Sequence, residues 1–178
     1  MSTLPLVDPS TASEPAAALL AGVQKSLGVT PNMTKAMANS PALLKVYVDL
    51  SGALGRGVLR PAVREQIALA VAQENACNYC LSAHSYLAEH VAHLSEDDIA
   101  AARRSEATDP KTAALLAFAT AVNDTRGSVT PERIDAVRSA GASNEEIAET
   151  IGQVALNVLT NFFNKAADVE IDFPLVEA

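Results

Sequence analysis

Two cysteines, a histidine and a glutamate form the part of this sequence with the clearest chemical potential. Cys77 and Cys80 are separated by two residues, His84 follows about one helical turn later, and Glu65 precedes all three. A thiolate can attack a peroxide and become a sulfenic acid, which then condenses with a neighbouring thiol to form a disulfide. A carboxylate and an imidazole can accept the thiol proton and later return it to a leaving oxygen. The four residues therefore predict thiol-based redox chemistry.

The same residues allow other interpretations. A disulfide across two intervening residues closes so short a loop that it adds little stability, which argues against a secreted disulfide framework. Two thiolates and the His84 imidazole would make a three-ligand zinc site with one open position, as in a metal-dependent enzyme, but no second ligand-rich segment is evident. The cysteines could also be small buried apolar residues, or belong to a non-enzymatic redox-sensing or scaffolding helical oligomer.

A pair of helices is needed to bring these side chains together. Pro61 begins a predicted helix that ends near Asn75, and a second helix is predicted from near Cys77 to about Val91. If the two form an antiparallel hairpin, Glu65 and His84 lie at about the same height on it. On the second helix, Cys80 and His84 fall within roughly 60° of Cys77, on the side that faces the core. We expect its more polar side to carry Asn78, Ser82, Ser85 and Glu89.

The remainder of the chain predicts an all-α fold. Ser40 and Asp109 each precede a proline, which suits the first position of a helix, and Ser143 with Glu146 predicts a capping box. Alternating segments typical of strands are nearly absent. We predict one helical domain over residues 14–167, preceded by a polar arm over residues 1–13. The apolar tail over residues 168–178 could pack on a neighbouring subunit.

Composition excludes several classes of protein. The chain has 178 residues, 49% of them hydrophobic, and a net charge of −8 from 13 basic and 21 acidic side chains. This composition indicates a globular domain, and the negative charge disfavours nucleic acid and anionic membranes as partners. No positively charged leader precedes an apolar run, and the longest uncharged stretch is too short and too polar to span a bilayer. We therefore expect a soluble, cytoplasmic protein.

Beyond these inferences, the spacing Glu65-x11-Cys77-x2-Cys80-x3-His84 resembles that of the AhpD-like alkylhydroperoxidases in the carboxymuconolactone decarboxylase superfamily. The likeness to the peroxidase-related branch of that superfamily extends along most of the chain, including residues 28–33, 39–44, 64–71 and 159–164. It implies an AhpD-like helical bundle that assembles as a homo-oligomer, commonly a trimer or hexamer, with a dimer as a further option.

The resemblance also implies a role for each site residue. Cys80 would be the thiol that attacks a hydroperoxide, Cys77 the resolving thiol, and Glu65 and His84 the proton relay. The reductant would be a dithiol, of the thioredoxin or lipoyl type, and no cofactor or metal is implied. Tyr79 stands where the well-studied alkylhydroperoxidases have a second histidine, which leaves the native reductant open. Superfamily members that decarboxylate a muconolactone lack the cysteine pair.

Polar residues outside the motif receive simpler interpretations. On the last predicted helix, Asn157, Asn161 and Asn164 form a polar stripe, for which we favour hydrogen bonds that fix helix or subunit packing. The alternative is that Asn161 lines the thiol pocket. We expect Tyr79 and Tyr86 to serve in packing. His90 and His93 are expected to be solvated near a helix end.

Overall fold

A computed structural model describes residues 2–178. Over this range the chain folds into nine α-helices, without a β-strand. The helices are α1 (Glu14–Leu27), α2 (Asn32–Met37), α3 (Pro41–Leu54), α4 (Pro61–Glu74), α5 (Asn78–His90), α6 (Glu96–Arg103), α7 (Pro110–Asp124), α8 (Pro131–Ser139) and α9 (Asn144–Ala166). The predicted all-α, single-domain architecture is confirmed.

Several helices begin at the predicted capping residues. The Ser40 side chain accepts a hydrogen bond from the Leu43 amide, and Asp109 accepts one from the Thr112 amide. Ser143 begins α9 in a complete capping box with Glu146. These caps satisfy amide groups that the first turn of a helix leaves without a partner.

The capping residues that predict helix starts in the sequence therefore work through hydrogen bonds within the first turn of their own helix.

Helix α4 forms the centre of the bundle and packs against α5, α6, α7 and α9. Ile67, Leu69, Ala70 and Val71 are each fully buried although they point in different directions around the helix. A helix that is apolar on nearly every side is stable only when other helices surround it. The central position of α4 thus follows from its composition, and it holds Glu65 inside the bundle.

The two ends of the chain pack together beside the bundle. The Thr3 amide donates a hydrogen bond to the Ala167 carbonyl, at 2.8 Å. The tail then follows α5 of its own chain, where the Val176 amide donates to Ser82 Oγ at 2.9 Å and the Ala178 amide donates to Asn78 Oδ1 at 3.1 Å. Ser82, which we expected on the more polar side of α5, is consequently buried, because the tail covers that side.

No helix within residues 2–178 has the length and hydropathy required to cross a bilayer.

Candidate functional site

The α4–α5 hairpin turns at Asn75 and Ala76. Ala76 adopts a left-handed conformation with φ of 47°, which reverses the chain between the two helices. Lys165 Nζ of α9 donates a hydrogen bond to the Asn75 carbonyl at 2.5 Å, and Asn75 Nδ2 donates to Asn161 Oδ1 at 3.0 Å. Two hydrogen bonds with α9 therefore hold the turn in place.

Glu65 and His84 face each other across this hairpin. Glu65 Oε2 lies 2.8 Å from His84 Nδ1, within hydrogen-bonding distance. The two side chains are half-buried, at 22% and 24% of their full exposure. The hairpin geometry inferred from the sequence predicted this pairing. It leaves Nε2 of the same ring for another partner, as a proton-transferring histidine requires.

The two sulfur atoms lie at disulfide-bonding distance at the start of α5. Cys77 is the N-cap of this helix, and its Sγ accepts a hydrogen bond from the Cys80 amide at 3.2 Å. Both side chains are buried, Cys77 at 1% exposure and Cys80 at 3%. A sulfur at a helix N-terminus is stabilised in its thiolate form by the amide groups and the helix dipole.

A cavity of about 660 Å³ opens beside this pair. Cys80, Glu65 and His84 contribute to its wall, whereas Cys77 lies behind Cys80 and does not. The rest of the wall is largely apolar and includes the side chains of Leu27, Val29, Met33, Tyr47, Leu87, Val91, Leu156 and Phe173. A small molecule in this cavity would therefore meet the sulfur of Cys80 before that of Cys77.

The last helix contributes an asparagine to the sulfur pair. Asn164 Nδ2 lies 3.3 Å from Cys80 Sγ, and Asn164 also lines the cavity. Asn161, for which the sequence allowed a place in the thiol pocket, instead binds Asn75 at the hairpin turn. The two asparagines differ because residues three apart on a helix differ by about 60° in direction.

Tyr79 links the site to the C-terminal tail. Its hydroxyl accepts a hydrogen bond from the Met33 amide at 3.1 Å and donates one to Asp172 Oδ1 at 2.8 Å. Burial raises the pKa of Tyr79 well above its ordinary value, so the phenol stays neutral. Tyr79 directly precedes the second cysteine in the sequence. Its hydroxyl nevertheless forms its hydrogen bonds with α2 and the tail.

Two further aromatic residues lie in the cavity wall. Tyr86 stacks on His90, with ring centroids 4.2 Å apart, and both are partly open to solvent. Tyr47 of α3 is a cavity residue that the sequence interpretation missed. Burial, together with the negative charge of Glu65, raises the pKa of Tyr47 to about 12. A tyrosine on an amphipathic helix is typical of packing, so its spacing gave no sign of this position.

The ligand set of the zinc alternative is not assembled. Within residues 2–178, no group of three histidine, cysteine, aspartate or glutamate side chains is arranged to hold a metal ion. The Glu65 carboxylate and the His84 imidazole bind each other.

Comparisons with known proteins agree with this architecture. Residues 41–124 match the model of the carboxymuconolactone decarboxylase family, and this segment contains all four predicted site residues. No curated protein sequence matches the chain significantly.

Several solved structures share the fold. A peroxidase-related protein with an alkylhydroperoxidase AhpD core, from Ralstonia eutropha JMP134, has a TM-score of 0.85 at 23% identity, over 96% of this chain and 92% of the other. A peroxidase-related protein from Silicibacter sp. TM1040 has a TM-score of 0.80 at 22% identity, over 94% and 88%. The debrominase Bmp8, in complex with 2,3,4-tribromopyrrole, has a TM-score of 0.77 at 24% identity, over 97% and 94%.

Proposed function

Because residues 41–124 match the model of the carboxymuconolactone decarboxylase family and the chain shares the fold of an AhpD-core protein, we propose that it is a thiol-dependent peroxidase of that superfamily. It reduces organic hydroperoxides through a dithiol–disulfide cycle of Cys77 and Cys80. The observation that carries the proposal is the arrangement of the two sulfurs. One lines a cavity beside a Glu65–His84 pair, and the other lies behind it at bonding distance.

The oxidative half of the cycle begins with the Cys80 thiolate. It attacks the terminal oxygen of the hydroperoxide, so that an S–O bond forms, the O–O bond breaks and an alkoxide leaves. The alkoxide takes a proton from the Glu65–His84 pair and departs as an alcohol. The Cys77 thiolate then attacks the Cys80 sulfenic acid, forming the disulfide and releasing hydroxide, which is protonated to water.

The positions of the two cysteines support this division of roles. Cys80 is the sulfur that a substrate in the cavity can reach. Cys77 receives the backbone amide hydrogen bond at the helix N-terminus, which favours the thiolate needed for the second attack. Cys80 therefore reacts with the peroxide because it lines the cavity. Cys77 attacks the resulting sulfenic acid, because the helix N-terminus favours its thiolate form.

A dithiol completes the cycle through the same cavity. One of its thiolates attacks Cys80, the Cys77–Cys80 bond breaks, and Cys77 leaves as a thiolate that takes up a proton. The second thiol of the reductant then attacks the reductant sulfur that is bound to Cys80. The reductant leaves as a disulfide, and Cys80 is released as a thiolate. Since both cysteines are nearly inaccessible to solvent, a slender dithiol suits this site better than a flat protein surface.

Thiol chemistry tests the proposal directly. Reduced wild-type protein should consume cumene hydroperoxide and lose both free thiols together, with repeated turnover when a dithiol is in excess. Cys80→Ser should abolish consumption, whereas Cys77→Ser should react once and stop at a sulfenic acid visible by mass spectrometry. Unaltered turnover by Cys80→Ser would refute the assignment. A wild-type protein that reacts once and stalls with every dithiol would favour the redox-sensor alternative.

The proton relay has its own test. Glu65→Gln should slow alkylation of Cys80 at neutral pH, by about tenfold, because the variant cannot accept a proton through His84. Glu74→Gln is a matched control, since Glu74 lies at the exposed end of the same helix. If the pH dependence of alkylation is the same in wild type and Glu65→Gln, Glu65 is not part of a relay.

A second candidate is reductive dehalogenation of an aromatic compound. It is favoured by the fold shared with a debrominase and by four aromatic side chains in the cavity wall, Tyr47, Tyr79, Tyr86 and Phe173. In such a reaction the two thiols become a disulfide, an aryl carbon–bromine bond is replaced by carbon–hydrogen, and hydrogen bromide is released. Bromide release from a brominated pyrrole, compared with cumene hydroperoxide consumption by the same sample, discriminates the two activities.

The assembly and location inferred from the sequence remain proposals. Leu27, Val29 and Val91 at the cavity wall are 50%, 55% and 63% exposed, and apolar side chains clustered in this way suit a subunit interface. We therefore retain a homo-oligomer, either trimer or hexamer, with a dimer as a further option, and a cytoplasmic location.

A further inference from the structure

We propose that the side-chain amide of Asn164 is a catalytic hydrogen-bond donor that stabilises the Cys80 thiolate. The inference rests on the proposed function in one respect, the role of Cys80 as the attacking sulfur. It concerns the last helix of the fold, which lies far from the Cys-x-x-Cys motif in the sequence.

The geometry of Asn164 directs its amide group at sulfur. Nδ2 lies 3.3 Å from Cys80 Sγ and 3.3 Å from Met33 Sδ, both within the range of N–H hydrogen bonds to sulfur. The side chain is 3% exposed, so water does not compete for these contacts. One amide thus joins α9 to α5 and to α2 at the wall of the cavity.

The orientation of the amide follows from what its neighbours can offer. A thioether and a disulfide or thiolate sulfur accept hydrogen bonds but cannot donate them. The opposite orientation would direct the lone pairs of Oδ1 at both sulfurs. With Nδ2 toward the sulfurs, Asn164 Oδ1 is buried and has no hydrogen-bond partner within residues 2–178. An unpaired buried carbonyl is unfavourable, which indicates that the contacts with sulfur determine the orientation.

A donor in this position matters most when Cys80 carries charge. Hydrogen bonds to an ionised acceptor are stronger than those between neutral groups, and low polarity around them strengthens them further. Asn164 therefore favours the thiolate over the thiol. Because it is neutral, it does so at every pH and without attracting the carboxylate of Glu65.

Titratable groups from α3, α4 and α5 share the cavity with Cys80. Their side chains would contribute to any pH profile of this thiol, so a test must hold them constant. They are Tyr47 from α3, Arg64 and Glu65 from α4, and Tyr79, His84, Tyr86 and His90 from α5; Asp172 from the tail binds Tyr79.

Another asparagine of α9 provides a matched control. Asn157 also lies in the cavity wall and is equally buried, but its Nδ2 donates to the Gln153 carbonyl at 2.8 Å. Substitution of either residue by aspartate adds one carboxyl group to the same cavity. Only the change at Asn164 also removes the donor to the Cys80 sulfur.

The experiment measures alkylation of Cys80 by iodoacetamide as a function of pH, in a Cys77→Ser background where one thiol remains. Asn164→Asp should displace the midpoint of alkylation to higher pH and reduce the rate at neutral pH by about tenfold or more. Asn157→Asp should displace the midpoint clearly less. Equal displacement in both variants, or none in Asn164→Asp, would overturn the proposal.

Wild-type protein provides a measurement that does not depend on a variant folding. In reduced, isotope-labelled protein the side-chain amide signal of Asn164 should titrate with the same midpoint as the ultraviolet absorbance of the thiolate. An amide signal that does not respond to this titration contradicts the proposal. Neither measurement uses peroxide, so an absence of peroxidase activity would refute the proposed function without deciding the role of Asn164.

Discussion

Tyr47 contributes a half-buried phenol to the cavity wall from α3. Its raised pKa, about 12, results first from burial and second from the nearby charge of Glu65. The phenol is therefore protonated throughout the neutral range. It can donate a hydrogen bond to an oxygen atom in the cavity, but it cannot serve as a base there.

This shift predicts a dependence of stability on alkaline pH. A raised pKa means that the folded protein binds the phenol proton more tightly than the unfolded chain does. The resulting stabilisation is complete below about pH 10, the ordinary pKa, and is lost as the pH rises through about 12. The unfolding free energy of wild type should therefore fall relative to that of Tyr47→Phe over this interval, measured by urea denaturation. If the unfolding free energies of the two proteins change in parallel with pH, the prediction is wrong.

At the scale of single elements, α9 fixes the loop between α3 and α4. The Glu149 carboxylate accepts hydrogen bonds from the Val58 amide at 2.8 Å and from the Leu59 amide at 3.0 Å. Gly57 lies directly against this carboxylate, and a β-carbon at that position would overlap it. The absence of a side chain at Gly57 thus allows α9 to hold the start of α4, the helix that carries Glu65.

We predict that Gly57→Ala lowers the free energy of unfolding by about 1–3 kcal/mol, because the carboxylate must move away from amide groups that it binds. Gly52→Ala is a suitable comparison in α3. A β-carbon there would meet only Arg56 Nη1, at 3.6 Å, and alanine should stabilise the helix by about 0.5–1 kcal/mol. Thermal or urea denaturation measures both effects. A Gly57→Ala protein as stable as wild type would show that the hydrogen bonds between Glu149 and the loop are dispensable.

At the scale of the whole molecule, the C-terminal tail forms part of the cavity wall. Phe173 packs edge-on against Tyr79, with ring centroids 5.9 Å apart, and lies 6.0 Å from Tyr86. Asp172 holds this segment in place by accepting hydrogen bonds from Tyr79 Oη and the Asn32 amide, each at 2.8 Å. The segment furthest along the chain therefore contributes to the shape of a site built mainly on α4 and α5.

We expect Phe173→Ala to lower kcat/KM for cumene hydroperoxide by about tenfold, because an apolar substrate loses the contact with a partly buried ring of the cavity wall. Hydrogen peroxide, which has no apolar surface, should be affected much less. Leu175→Ala is the matched control, since Leu175 belongs to the same tail, is 64% exposed and does not line the cavity. Equal losses for both peroxides would show that Phe173 supports the fold and does not select the substrate.

Local signals in the sequence determined the helices and the motif that they carry. Prolines and capping residues mark helix starts through contacts within one turn, so Ser40, Asp109 and Ser143 identified α3, α7 and α9 correctly. The pairing of Glu65 with His84 was also predictable, because a tight hairpin fixes the register of its two helices by residue spacing alone.

Contacts between distant segments were decided only by the tertiary structure. The sequence could not show that Asn164, and not Asn161, reaches Cys80, because this depends on the rotation of α9 against α5. Nor could it show that the tail buries Ser82, or that Tyr47 and Phe173 enclose the cavity. Helix periodicity tells which side chains share a face, but the packing of all nine helices within residues 2–178 decides what that face meets.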